Sequence, residues 1–242
     1  MTGRGRETGD RRAFLAPARQ RLAGDIFVNP VHPPPAVPQD AAVPLPGYQN
    51  LDPDDLVATF VAAVAHAQGT CHLAEEEVPD ELLDRVATEL AGGSVVTTPE
   101  PEAVAVGRRL ADRGVTVEPL TVEAAARAAV GVTGAAATIA ATGSVVLDSH
   151  RAGSRIASLL PPVHLCVASV NTLVPTPADV LRRLGSAGDA VSPSLVLVTG
   201  PSRTGDIEQL LTLGAHGPTA LQVVLLTDGP GRASTSGAGD RA

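Results

Sequence analysis

Between residues 54 and 226 the chain alternates short, continuous apolar runs with amphipathic segments, and this alternation restricts the fold more than any other feature. Residues 54–68 read as a helix, with Leu56, Phe60 and Val64 apolar and Asp52 or Asp54 placed to cap it. Residues 70–74 read as a short strand. Residues 81–91 read as a helix ended by Gly92-Gly93, and Val95-Val96-Thr97 as the strand that follows. Residues 101–113 are a predicted helix stopped at Gly114, with a strand over 115–120. Further strands are expected near 144–147, 164–169, 195–199 and 221–226, and helices near 177–184 and after Asp206. Strands that are apolar throughout, each followed by a helix, need cover on both faces. The sequence therefore predicts an α/β protein with a mainly parallel open sheet flanked by helices. In such sheets ligands bind outside the carboxyl ends of the strands.

The flanks read differently. In residues 1–50 an arginine-dotted start leads into a short helical pattern with Phe14, Leu15, Ala18 and Leu22 on one face, and then into a proline-rich arm. Residues 51–227 carry the α/β pattern, and 228–242, rich in Gly, Ser, Ala and Arg, are expected to form a flexible tail.

Composition removes several kinds of chemistry. All 18 basic residues are arginine, so a lysine Schiff base, a pyridoxal enzyme or a Walker A loop is excluded. A net charge of −8 with only 2% aromatic residues argues against a nucleic-acid partner, which needs a basic face and stacking rings. Cys71 and Cys166 stand alone in apolar stretches, without a CxxC motif or a Cys/His cluster, so no metal and no iron–sulfur cluster is expected on this chain. No apolar run reaches membrane-spanning length and the start lacks a signal-peptide core, which predicts a cytoplasmic protein.

Four loops hold residues that could carry chemistry. The densest follows the 195–199 strand and contains Ser202, Arg203, Thr204, Asp206 and Glu208. A guanidinium beside helix N-terminal amides favours a carboxylate or phosphate, and Asp206 or Glu208 could serve as a base; a capped turn with Arg203 paired to a surface acid explains the same residues. The glycine- and alanine-rich run 131–144 ends in a small polar turn, Thr142-Gly143-Ser144, that could admit a ligand close to the backbone or allow tight packing. His216, beside Gly217, suits proton transfer or anion contact, or is simply solvated. His164 follows Pro161-Pro162 at the entry to an apolar strand, where it could serve as a cap.

In order, the segments GVTGAAATIAATGSVVLDS (131–149), RIASLLPPVHLCVASVNTLVPTPADVL (155–181) and LVTGPSRTGDIEQLLTLGAHGPTALQVVLL (197–226) resemble the lactate-utilisation (LUD) domain family. The resemblance implies a fold similar to that of ribose-phosphate isomerases and coenzyme A transferases. It also implies a part in oxidation of L-lactate to pyruvate, alongside iron–sulfur partner subunits that would carry the redox centres. Where the family commonly has a Glu-Thr-Gly-Thr segment, this chain reads Ala141-Thr142-Gly143-Ser144, so a carboxylate nucleophile or base is missing at that place. The leading expectation is an accessory subunit of a lactate-oxidising system. It would bind a small carboxylate, or an iron–sulfur partner, through Ser202, Arg203, Thr204, His216 and Gly217 with Thr142, Gly143 and Ser144 nearby. The alternative is a stand-alone enzyme acting on a phosphorylated or thioester substrate, with Asp206, Glu208 or Asp148 replacing the absent carboxylate. A third is a structural module with a vestigial pocket.

Overall fold

β-branched runs build a central sheet, and a computed structural model shows how the helices cover it. The structure describes residues 51, 55–90, 92–186, 192, 194–205, 211–213 and 216–227. The expectations for 1–50 and 228–242, and those for Asp206 and Glu208, lie outside these residues.

In chain order the elements are α1 (Leu56–His66), β1 (Thr70–Ala74), α2 (Asp80–Leu90), β2 (Ser94–Thr97), α3 (Pro101–Ala111), β3 (Thr116–Glu118), α4 (Val122–Arg127), β4 (Val130–Gly134), β5 (Ala137–Ile139), β6 (Ser144–Asp148), α5 (Ser149–Ala152), β7 (Val163–Ser169), β8 (Leu173–Val174), α6 (Pro177–Ser186), β9 (Leu195–Val198), β10 (Arg203–Gly205), β11 (Leu211–Leu213) and β12 (Ala220–Leu226). Single 3₁₀ turns occupy Ile156–Ser158 and Val170–Thr172.

Six strands form one parallel sheet in the order β1-β12-β7-β4-β2-β3. One face is covered by α2 and α3. Leu82, Leu83 and Val86 of α2, with Ala103, Val106 and Leu110 of α3, pack on Val95, Val130, Val132, Leu165, Val167 and Val224. The i, i+3, i+7 spacing along α3 gives one apolar stripe. Pro101 at its start, Glu102 in its first turn and Arg108 and Arg109 in its last turn suit both its geometry and its dipole. Arg109 and Arg113 then tie α3 to α2 through Asp80 and Asp84. On the other face Phe60 and Val64 of α1 pack with Cys166, Ala168, Val223 and Leu225.

The parallel sheet is as expected, and the predicted elements from α1 to β3 agree with the structure to within a few residues. The second half departs from strand-then-helix. β8, β5, β6 and β9 form a separate sheet in which β6 runs antiparallel to both β5 and β9. The expected helix after Asp206 does not hold at 211–213, which are instead strand β11, paired antiparallel with β10. The helix N-terminal amides expected beside Arg203 are therefore replaced by a ribbon. The stretch 131–144, whose glycines and small residues predict a loop, contains the fully buried central strand β4 and the short β5.

Candidate functional site: a cleft at the strand ends

Strand order reverses between β2 and β4. From β2 the chain moves outward to β3; from β4 it moves the other way to β7 and β12. Neighbouring connections that leave in opposite directions open a crevice at the carboxyl ends of the strands. A cavity of about 440 Å³ lies there. Val106 of α3, Val167 and Ala168 of β7, Ala135 and Leu226 give it apolar walls, and Glu76, Glu77, Glu102, Arg109, Arg151, Ser169, Asn171 and Thr172 supply polar groups. An apolar hollow with a few converging polar groups is the usual form of a small-molecule site.

Its polar groups are not equally available. Arg109 donates to the Val78 carbonyl at 2.6 Å and to Asp80 at 2.7 Å, and lies 3.2 Å from Glu77. Hydrogen bonds from Arg109 and Arg113 hold the Asp80 carboxyl below its usual range, so this cluster is internally neutralised. Ser169 and Thr172 shape the turn after β7: the Ser169 hydroxyl accepts from the Asn171 N–H at 3.2 Å, and Thr172 donates to the Ser169 carbonyl at 2.7 Å. Arg151 is different. It sits on α5, whose start is capped by Asp148 accepting from the His150 N–H at 2.8 Å, and it has no acidic partner among the described residues. Glu102 likewise has no hydrogen-bond or ion-pair partner among the described residues. It lies over the end of β4, where a β-carbon on Gly134 would overlap its Oε1. Beside it Glu100 is 4% exposed and its Oε2 has no partner in the described structure.

The expected site residues gather elsewhere, at the carboxyl end of α1. Thr142 and Ser144 share a hydrogen bond at 2.7 Å, and Ser144 and Thr199 another at 2.5 Å; Ser144 is buried. Gly143, at φ +64°, presses on α1 so closely that a β-carbon would stand 2.5 Å from the Ala63 carbonyl carbon. Gly200, at φ +75°, presses on Ala67. Arg203 donates to the Ala67 carbonyl at 2.8 Å, which satisfies an orphan acceptor at the negative end of that helix. Ser202 donates its N–H to Pro218 at 2.8 Å, and Gly217 lies against the Ser202 side chain. Thr204 is in β10. His216 is exposed. Three distant stretches, 142–144, 199–203 and 216–218, thus converge, while none of their residues lines the strand-end cavity. Ala141 belongs to the β5–β6 turn, with its N–H bonded to Pro175, and also lies off the cavity.

One buried imidazole and two thiols, Cys166 buried and Cys71 half-buried, lie apart from both clusters. His164, fully buried in β7, shares a 2.8 Å hydrogen bond with Thr133, and burial pushes its pKa down to about 4. Cys71 and Cys166 occupy the same register on β1 and β7, with β12 between them, which places them about 10 Å apart. Burial raises their thiols to about 11 and about 12. Protonated, separated thiols suit packing rather than a cluster. No group of three or more His, Cys, Asp or Glu among the described residues is arranged to hold a metal.

Known proteins agree with the sequence resemblance. A family model for the LUD domain matches residues 58–226. The chain belongs to the LUD domain family. Lactate utilization protein C of Halalkalibacterium halodurans is 36% identical over 110 residues, covering 44% of this chain and 48% of that protein. The protein of the same name from Bacillus subtilis is 34% identical over 110 residues, 44% of this chain and 46% of its own. The matched stretch thus spans about half the length of these relatives. An uncharacterized Escherichia coli protein, YkgG, is 28% identical over 208 residues, covering 79% of this chain and 90% of its own. A crystal structure of a DUF162 family protein from Deinococcus radiodurans superposes with a TM-score of 0.52 at 22% identity, covering 73% of this chain and 99% of that one, which supports the LUD fold.

Sequence pattern alone marks neither Arg151 nor Glu102 as a site residue. The signal available was Thr97-Thr-Pro-Glu-Pro-Glu102, an acidic turn between a parallel strand and its helix, and Ser149-His-Arg151 directly after a strand.

Proposed function

We propose that this LUD protein is an accessory subunit of a lactate-oxidising system and binds a small carboxylate in the strand-end cleft. The observation that carries this reading is Arg151: an unpaired guanidinium at an apolar hollow, at the point where strand order reverses. A guanidinium offers a planar pair of donors to a carboxylate, and apolar walls raise the strength of that contact. The relatives named Lactate utilization protein C support lactate use as the setting. In this reading electron transfer falls to other subunits, a division supported by Cys71 and Cys166 standing on separate strands with their thiols protonated. On the same reading iron–sulfur centres belong to partner subunits, and Arg203 and His216, both exposed, are the candidate residues for contact with them.

A stand-alone enzyme has one observation in its favour, the free Glu102 carboxylate in the cleft; Asp148 is occupied as a helix cap. Thermal-shift screening against sugar phosphates and coenzyme A esters separates the readings, since a ligand at a hundred times its Kd stabilises by about 2.7 kcal/mol. A shift with those compounds and none with lactate or pyruvate favours the enzyme. For the accessory role, a deletion strain without another lactate route should fail to grow on L-lactate and be rescued by the wild-type gene but poorly by Arg151→Ala. Normal growth of the deletion strain contradicts the role, and full rescue by the variant contradicts the assignment of Arg151.

A further inference from the structure

A second hollow, of about 200 Å³, lies at the opposite end of the parallel sheet, beneath the last turns of α2. Val86 and Leu90 of α2, Val130 of β4, and Pro162, Val163 and Leu165 at and before the start of β7 make its walls largely apolar. The polar residues that line it, Gln222 and Glu89, both offer acceptors. Gln222 is the polar exception in the apolar strand β12, and its Oε1 is buried without a hydrogen-bond partner. Glu89 stands exposed in the last turn of α2 and makes no ion pair among the described residues. That turn carries no basic residue, although the carbonyl end of a helix favours a cation. His72, on the neighbouring strand β1, comes close enough to interact with Gln222 but outside hydrogen-bond geometry, and its own Nε2 is buried and unpartnered. Burial and the Arg85 charge lower the pKa of His72, so the imidazole brings no positive charge to this region.

We propose that this hollow binds a small organic ammonium ion, an amine on a compact apolar body, with an N–H donated to Gln222 Oε1 and the charge held by Glu89 and the carbonyl end of α2. A buried acceptor without a partner is unfavourable, and a ligand N–H removes that cost. The amide oxygen alone would accept as readily from an alcohol; the uncompensated negative end of the helix is what selects a cation. Size sets the body. A cavity of about 150 Å³ admits benzene, so this one suits a single six-membered ring or a branched chain of similar volume.

Titration of the full chain near neutral pH, followed by methyl NMR, tests this with three probes that share one ring and differ in charge: cyclohexylamine, cyclohexanol and cyclohexanecarboxylate. The amine should give saturable shifts at the methyls of Val86, Leu90 and Val163. The alcohol should bind there roughly fivefold or more weakly, and the carboxylate should leave those methyls unmoved. Glu89→Gln should bring the amine to within about twofold of the alcohol. Gln222→Leu, with its fold checked by circular dichroism, should weaken both; if that variant does not fold, the wild-type series and Glu89→Gln decide alone. Equal affinity for amine and alcohol in the wild type overturns the proposal, as does an amine preference that survives Glu89→Gln. Shifts confined to Val106 and Val167, which line the other cleft, or no saturable shift at all, overturn it as well.

Discussion

Gly200→Ala is the substitution whose cost the structure specifies most fully. Gly200 has φ +75°, a left-handed conformation that costs an L-residue about 1–2 kcal/mol. The added β-carbon would collide with the Ala67 carbonyl oxygen and stand 3.1 Å from its carbon and 3.2 Å from its Cβ. These are backbone atoms and a methyl stem at the end of α1, with no flexible tip to swing aside. The turn and the helix end must separate, and the 2.8 Å hydrogen bond from Arg203 to that carbonyl is the contact most exposed to the shift. A hydrogen bond involving a charged group is worth about 1.5–3 kcal/mol. Together the strain and the lost bond amount to roughly 3–5 kcal/mol, a large share of a typical domain's stability. Gly114 is the control. Its φ is +82°, but nothing lies within 4 Å of its would-be β-carbon, so Gly114→Ala should cost only the conformational part, about 1–2 kcal/mol. Urea unfolding of both variants, followed by circular dichroism, reads the difference. Equal destabilisation would refute the view that the 199–203 turn and α1 are locked together.

Two further predictions concern buried groups. The pKa of His164 is about 4 when folded against 6.5 when free, so its neutral form stabilises the fold above pH 6.5 and that contribution is lost as pH falls toward 4. The loss is about 3 kcal/mol, and His164→Gln should flatten the urea midpoint over that range; an unchanged pH profile would contradict it. Cys166, with its thiol raised to about 12, should resist alkylation at pH 8 in the folded chain and react readily in urea, as mass spectrometry after a timed pulse would show. Equal labelling in both states would place Cys166 outside the core.

The first half of the fold is legible in the sequence because β2 and β3 are rich in β-branched residues, α1 to α3 each carry an apolar stripe at helical spacing, and glycine or proline marks boundaries, as at Pro101 and Gly114. The second half is not, for definite reasons. β4 is Val-Gly-Val-Thr-Gly, buried along its whole length, so it shows no alternation and its glycines mimic a loop. β5 has three residues, too few for a period. The antiparallel return of β9 on β6 is a long-range choice that no local pattern encodes. That the turns 142–144 and 199–203 make close approaches was legible, since small residues there admit a neighbouring backbone. What they approach, the carboxyl end of α1, was not, because the sequence reports a guanidinium and not the carbonyl it faces. Arg151 and Glu102 escaped notice because a single charged residue after a strand resembles any solvated turn until the sheet order places both beside one cavity.

The location of the ligand is the central claim, and parallel calorimetric titrations of L-lactate into Arg151→Ala and Arg203→Ala test it most directly. Arg151→Ala should weaken binding by roughly ten- to a hundredfold with its melting temperature little changed, because it removes an exposed charge-assisted contact. Arg203→Ala should keep the wild-type affinity and lose stability, because its guanidinium serves the end of α1. The reverse pattern, with affinity lost at Arg203 and kept at Arg151, would contradict the placement of the ligand in the strand-end cleft.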